Sequence, residues 1–247
     1  MIDLAFHEVQ GRRVAYRLRP GSSPTLMFLP GYASDMDGAK ASALDAFAER
    51  RGASLLRFDY SGTGSSEGQF EQGTLELWLE EALALIDART LGPLILVGSS
   101  MGGWIALHAA LRRPERIVGL VGIAAAPDFT QWGFDGEMKA KLSGGGHIGE
   151  PGSEGRSTPS LITSAFWRSG QQLLLLDGGI PLDCPVRLIH GEADREVPLD
   201  VAFHTLRAVR SADVQLNVIK GAGHRLSEPH EIEAILRTVA ALLEAAP

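Results

Sequence analysis

The chain has 247 residues, 45% hydrophobic and 21% charged, enough to bury the core of one large α/β domain. Its 23 basic and 30 acidic residues leave a formal charge of -7, without the clustered cations that nucleic-acid binding requires, so no nucleic-acid partner is expected. The longest apolar stretches, such as residues 117–127, fall short of the roughly 20 residues of a membrane helix, so no transmembrane segment is expected. The N-terminus, Met1-Ile2-Asp3-Leu4-Ala5-Phe6-His7-Glu8, has acids where a signal peptide would be basic, which predicts cytoplasmic residence. Cys184 is the only cysteine and lies between apolar neighbours, which excludes an internal disulfide and predicts a buried structural thiol.

In chain order, residues 4–9 and 12–18 flank Gln10-Gly11 and predict a hairpin at one sheet edge. Further β-type runs follow at residues 25–29, 54–58, 94–97, 117–123, 186–190 and 214–219. Between them, residues 39–51, 75–88, 104–113, 201–210 and 228–243 space Ala and Leu against charge at the helical period. Strands with helices between them predict an eight-stranded, mostly parallel sheet covered on both faces, within a single domain spanning residues 1–247.

Residues 128–179 break that rhythm. They carry Gly144-Gly145-Gly146, Gly149, Pro151, Gly152, Gly155 and Pro159 beside Trp132, Phe134, Met138, Phe166 and Trp167. Two readings fit: a lid with large apolar anchors, or a surface insertion over otherwise bare core. Tyr32, Trp132, Phe134, Met138 and Trp167 are the candidate lining of an acyl or aryl pocket, since such sites are mostly apolar.

The chemistry centres on Gly98-Ser99-Ser100-Met101-Gly102-Gly103, between the strand-like run 94–97 and the helix-like run from Trp104. A G-x-S-x-G pattern in a strand-turn-helix setting exposes its serine hydroxyl. Serine is a poor nucleophile until a base takes its proton. Gly221-Ala222-Gly223-His224-Arg225 places His224 in a flexible loop beyond the last predicted strand, a position suited to that base. Gly191-Glu192-Ala193-Asp194 places Asp194 at a turn after the preceding strand, where it would orient the imidazole. Asp128, after the run 117–126, competes for the acid's role; the turn setting favours Asp194. Loops at the C-terminal ends of parallel strands share one crevice, so three residues far apart in sequence can meet.

A tetrahedral intermediate needs backbone donors. Met101 follows the nucleophile at a helix start, and Tyr32 follows Gly31 in the turn Leu29-Pro30-Gly31-Tyr32, so their amides are the candidate oxyanion hole. Asp59-Tyr60-Ser61-Gly62-Thr63-Gly64 lacks the full G-x-G-x-x-G spacing, so a tight loop is expected there rather than a phosphate site. No cluster has metal-ligand spacing, so neither metal nor cofactor is expected.

The order Ser100, Asp194, His224, with these motifs, resembles the serine hydrolases of the α/β-hydrolase superfamily over essentially the whole chain. More narrowly, Leu29-Pro30-Gly31-Tyr32, Asp37-Gly38-Ala39-Lys40-Ala41, Arg57-Phe58-Asp59-Tyr60-Ser61-Gly62-Thr63-Gly64 and Asp183-Cys184-Pro185-Val186 are similar to a mitochondrial family within it. That family is described as removing palmitoyl groups from protein cysteines and cleaving acyl glucuronides. The resemblance implies a Ser-His-Asp esterase or thioesterase acting through an acyl-enzyme on a small-molecule or lipidated-protein substrate. A peptidase or acyltransferase using the same three residues, or a receptor that keeps the fold without turnover, are the alternatives.

Overall fold

The computed structural model describes residues 2–149 and 161–246. The strands are β1 (Ala5–Val9), β2 (Arg12–Arg19), β3 (Ser22–Leu29), β4 (Ala53–Phe58), β5 (Leu94–Ser99), β6 (Ile117–Ile123), β7 (His147–Ile148), β8 (Ile162–Thr163), β9 (Val186–Gly191) and β10 (Val214–Ile219). All but β7 and β8 form one eight-stranded sheet in the order β1-β2-β4-β3-β5-β6-β9-β10. Pairing is antiparallel only from β1 to β2 and from β2 to β4, so the predicted hairpin does form one edge of a mostly parallel sheet.

The central strands β4, β5, β6 and β9 are buried at nearly every position because both of their faces are covered. In β3, Leu26 and Phe28 pack into one layer and Met27 and Leu29 into the other, the two-residue alternation of a pleated strand. The helices are α1 (Ala39–Arg51), α2 (Leu75–Arg89), α3 (Met101–Arg112), α4 (Phe129–Trp132), α5 (Gly136–Ser143), α6 (Ser164–Gln172), α7 (Leu199–Ala208) and α8 (Pro229–Ala245). Leu44 and Phe47 of α1 and Ile235, Val239 and Leu242 of α8 cover one face of the sheet. Trp78 of α2, Trp104 of α3 and Val201 of α7 belong to the layer on the other face. Starts follow local chemistry: Thr74 Oγ1 accepts from Leu77 N ahead of α2, and Glu231 reaches back to the Glu228 amide ahead of Pro229 and α8.

Helix α3 starts three residues before the spacing predicts. Gly102 and Gly103 have low helix propensity and no apolar side chain, so the periodicity of the sequence begins only at Trp104. They are helical because α3 runs hard against the sheet: a Cβ on Gly102 would collide with the Leu29 carbonyl.

The insertion between β6 and β9 contains α4, α5, the β7–β8 pair and α6. Pro151, Gly152, Gly155 and Pro159, singled out in the sequence, lie outside the described residues. The two ends of the insertion are tied to each other, and its C-terminal end is tied to α3. Asp128, buried and left-handed at φ 60, accepts hydrogen bonds from Leu175 N at 2.9 Å and Leu176 N at 2.8 Å. The Leu173 carbonyl accepts from Trp104 Nε1 at 3.0 Å and from His108 Nε2 at 2.8 Å. No described helix is long and apolar enough to cross a membrane.

Asp128→Ala strands two buried amides and is expected to lower stability by about 2–3 kcal/mol, seen as a lower urea midpoint at unchanged m-value. Burial holds the His108 imidazole below its ordinary 6.5, against the raising effect of the Leu173 carbonyl. The unfolded chain therefore binds more protons, and this residue's contribution to stability falls as pH drops through the unfolded value. His108→Gln keeps a donor for Leu173 and is expected to lessen the stability lost between about pH 7 and pH 5; an unchanged loss would exclude this origin.

Candidate active site

Strand β5 ends at Ser99 and α3 begins at Met101, so the chain reverses direction within one residue, Ser100. Its backbone sits at φ 53, ψ -120, a conformation that costs a non-glycine residue roughly 1–3 kcal/mol. Three backbone hydrogen bonds hold it there: Ser100 N to Ile123 O at 2.9 Å, Gly103 N to Ser100 O at 2.9 Å, and Ala126 N to Ser100 O at 3.1 Å. The turn is therefore locked to β6 as well as to its own helix.

The loops after β9 and β10 bring two more residues to this turn. His224 Nε2 lies 3.1 Å from Ser100 Oγ, and His224 Nδ1 lies 2.8 Å from Asp194 Oδ2. With Nδ1–H donated to the carboxylate, Nε2 is left to accept the serine proton. Asp194 has a fully buried side chain, and its Oδ1 accepts from the amides of Glu196 and Val197, each at 2.9 Å. His190, at the end of β9, is buried and donates to the Val197 carbonyl at 2.9 Å, so it braces the acid loop from beneath. On the other side, Lys40 Nζ donates to the Arg225 carbonyl at 2.5 Å and braces the histidine loop from α1. Asp128 is committed to the insertion; the acid beside His224 is Asp194.

Met101 is the first residue of α3, where an amide has no carbonyl one turn earlier to bond. Gly31 approaches Ser100 so closely that a Cβ there would lie 3.3 Å from Ser100 Cβ, which brings the neighbouring Tyr32 to the same place. The Tyr32 ring meets Phe70, Trp78, Phe129 and Phe166 at centroid distances of 5.1, 5.8, 6.3 and 4.9 Å, and its hydroxyl donates to the Leu161 carbonyl. Burial pushes that phenol well above its ordinary range, so it remains a neutral donor.

A cavity of about 220 Å³ opens beside Ser100 and His224. Of the residues expected to line a pocket, Tyr32, Trp132 and Phe134 do so, while Met138 and Trp167 do not. Met138 is 39% exposed on α5, and Trp167 points its Nε1 at the Thr130 carbonyl, joining α6 to α4. Phe129, Ile162, Glu196 and Val197 line the cavity without having been singled out in the sequence. Phe129 directly follows Asp128 and had a signal of its own, a large aromatic at the mouth of the insertion. The loop at Gly62 and Gly64 encloses the chain's own Asp59 carboxylate, which accepts from Met36 N at 2.7 Å and Ser65 N at 2.8 Å; a Cβ on Gly64 would collide with it. Among the described residues no three His, Cys, Asp or Glu side chains could hold a metal.

This arrangement pairs a partly exposed hydroxyl on a strained backbone with a proton acceptor and a buried carboxylate behind it. Comparison with known proteins follows the same lines. The family model described as alpha/beta hydrolase fold matches residues 24–143. The chain is 38% identical over 234 residues to palmitoyl-protein thioesterase ABHD10, mitochondrial, of Homo sapiens, spanning 94% of this chain and 76% of that protein. The solved structure of alpha/beta hydrolase domain-containing protein 10 from mouse matches with a TM-score of 0.91 at 34% identity, covering 98% of this chain and 99% of that one. A putative hydrolase from Agrobacterium vitis S4 matches with a TM-score of 0.89 at 35% identity, again covering 98% and 99%. On this likeness over most of both lengths, the chain belongs to the α/β hydrolase family that includes ABHD10.

Proposed function

We propose that the chain is a serine hydrolase of carboxylic esters and thioesters, with Ser100 as nucleophile, His224 as base then acid, and Asp194 as the orienting carboxylate. The observation that carries this is the continuous path from Ser100 Oγ through the His224 ring to buried Asp194, at 3.1 and 2.8 Å. Ser100 Oγ attacks the acyl carbon as Nε2 takes its proton. The oxyanion that forms is met by the amides of Met101 and Tyr32, donors of a kind that contribute roughly 2.7–4 kcal/mol each. The C–O or C–S bond then breaks, its electron pair leaves with the oxygen or sulfur, and Nε2 returns the proton to that atom. Water, deprotonated by the same nitrogen, hydrolyses the acyl-enzyme and frees Ser100.

The thioester half of this reading is supported by the names of the ABHD10 relatives, the ester half by the general chemistry of the three groups. The cavity of about 220 Å³ is smaller than the roughly 300–1,000 Å³ typical of drug-sized ligands, so the described walls suit a compact acyl or aryl group and a longer chain must extend beyond them. The insertion, which supplies Phe129, Trp132, Phe134 and Ile162 to those walls, acts as the lid in this proposal, covering the acyl group and excluding water.

Ser100→Ala is expected to lower kcat on p-nitrophenyl butyrate by about 10⁴-fold or more, and Asp194→Asn by about 10⁴-fold. A fluorophosphonate probe is expected to label the native protein and not Ser100→Ala. Retained turnover in Ser100→Ala would overturn the assignment, and a folded native protein that is neither labelled nor active would favour a receptor.

A further inference from the structure

The cavity has one charged wall besides its reacting groups. Among the described residues that line it, Glu196 is the only Asp, Glu, Lys or Arg; the rest of the side-chain lining is mainly aromatic and aliphatic. Glu196 Oε2 lies 3.9 Å from His224 Nε2. In the proposed reaction that nitrogen hands its proton to the departing atom, and the transfer requires hydrogen-bond contact. In that reaction the departing sulfur or oxygen leaves within a few ångströms of the Glu196 carboxylate. The acyl group, by contrast, lies against the aromatic wall of Tyr32, Phe129, Trp132 and Phe134.

The position of Glu196 is fixed by the backbone. Its amide donates to Asp194 Oδ1, and so does that of Val197, so the carboxylate that orients the imidazole also orients the segment that carries Glu196. Among the described residues its side chain pairs with no Lys or Arg, lies 3.9 Å from the His224 ring and is 69% exposed. Its charge thus faces the cavity and pairs with no Lys or Arg among the described residues.

We propose that Glu196 selects substrates by the charge of the leaving group, favouring neutral or cationic leaving groups and opposing anionic ones, which places acyl glucuronides, whose departing sugar carries a carboxylate, among the disfavoured substrates of this chain. This rests on the ester and thioester hydrolysis proposed above and names the class of substrate within it. An exposed charge pair shifts an equilibrium by up to about five-fold, so the preference for a cationic over an anionic leaving group is expected to be about three- to tenfold. Being exposed, it weakens as salt shortens the screening length.

The test uses one acyl group on three thiols: butyrylthiocholine for a cationic leaving group, S-butyryl mercaptoethanol for a neutral one, and S-butyryl 3-mercaptopropionate for an anionic one. Thiol release gives kcat/KM for each, and because the thiols differ in intrinsic reactivity, the comparison is the cationic-to-anionic ratio between enzyme variants. Glu196→Gln is expected to lower that ratio about three- to tenfold at low salt, with a smaller change in 0.5 M salt, the order of magnitude at which screening acts within a few ångströms. Glu196→Lys is expected to shift the ratio further in the same direction. Because the side chain bonds to no other part of the fold, both variants should remain folded, and circular dichroism verifies this. A ratio unchanged within twofold in both variants, while all three thioesters are still hydrolysed, would overturn the role of Glu196 and leave the hydrolase reading standing. Native protein that hydrolyses none of the three overturns both.

Discussion

The rest of the structure depends on the backbone of Ser100 being held in a conformation that a serine does not adopt by choice. A turn at φ 53, ψ -120 between a buried strand and a buried helix persists only where its surroundings over-determine it. Here the surroundings are the β6 carbonyl that takes its amide, the two amides that take its carbonyl, and a helix packed so close to β3 that only glycine fits at position 102. None of these contacts involves a side chain that could swing away. The hydroxyl is therefore presented by the sheet itself, and the other two groups need only arrive at a fixed point.

They arrive by loops, and the loops are made stiff. Asp194 spends one carboxylate oxygen on the imidazole and the other on two amides of its own turn, so a single buried anion both fixes the loop and aims the base. His190 below and Lys40 beside it fasten neighbouring carbonyls. Removing the acid's side chain from water strengthens each of these interactions relative to an exposed carboxylate. The geometry is prepared before any substrate enters, which is the condition under which fixed dipoles accelerate acyl transfer.

How much of this can be read from the chain depends on whether a feature is local. The turn at Ser100 was legible because strand, glycines and helix are adjacent in sequence, and the convergence of His224 and Asp194 on it was legible because parallel strands deliver their following loops to one edge. Asp128 against Asp194 was decided by turn chemistry alone, and the structure shows why both had a claim: each is a carboxylate held by backbone amides after a parallel strand, one turned toward the insertion and one toward the imidazole. The insertion resisted. Met138 and Trp167 have the size and apolarity of pocket residues, but which way a short helix faces is set by its packing on other short helices, which leaves no period in the sequence. Glu196 escaped notice for a related reason: its side chain is largely exposed, and only the turn of its backbone brings it to the imidazole. The first turn of α3 was hidden because glycines chosen for close approach look, locally, like residues chosen to break a helix.

Tyr32 joins what the other residues keep apart. It follows Gly31, which touches the nucleophile turn, while its ring sits among aromatics drawn from α2, α4 and α6 and its hydroxyl holds the Leu161 carbonyl of the insertion. In the proposed reaction the wall that shapes the acyl group and the amide that meets the oxyanion belong to one residue. On the proposed roles, remodelling of the insertion toward a new substrate is constrained at this point: displacement of the wall would be transmitted to the donor, so a broader substrate range would come at the expense of turnover unless Tyr32 itself is left in place.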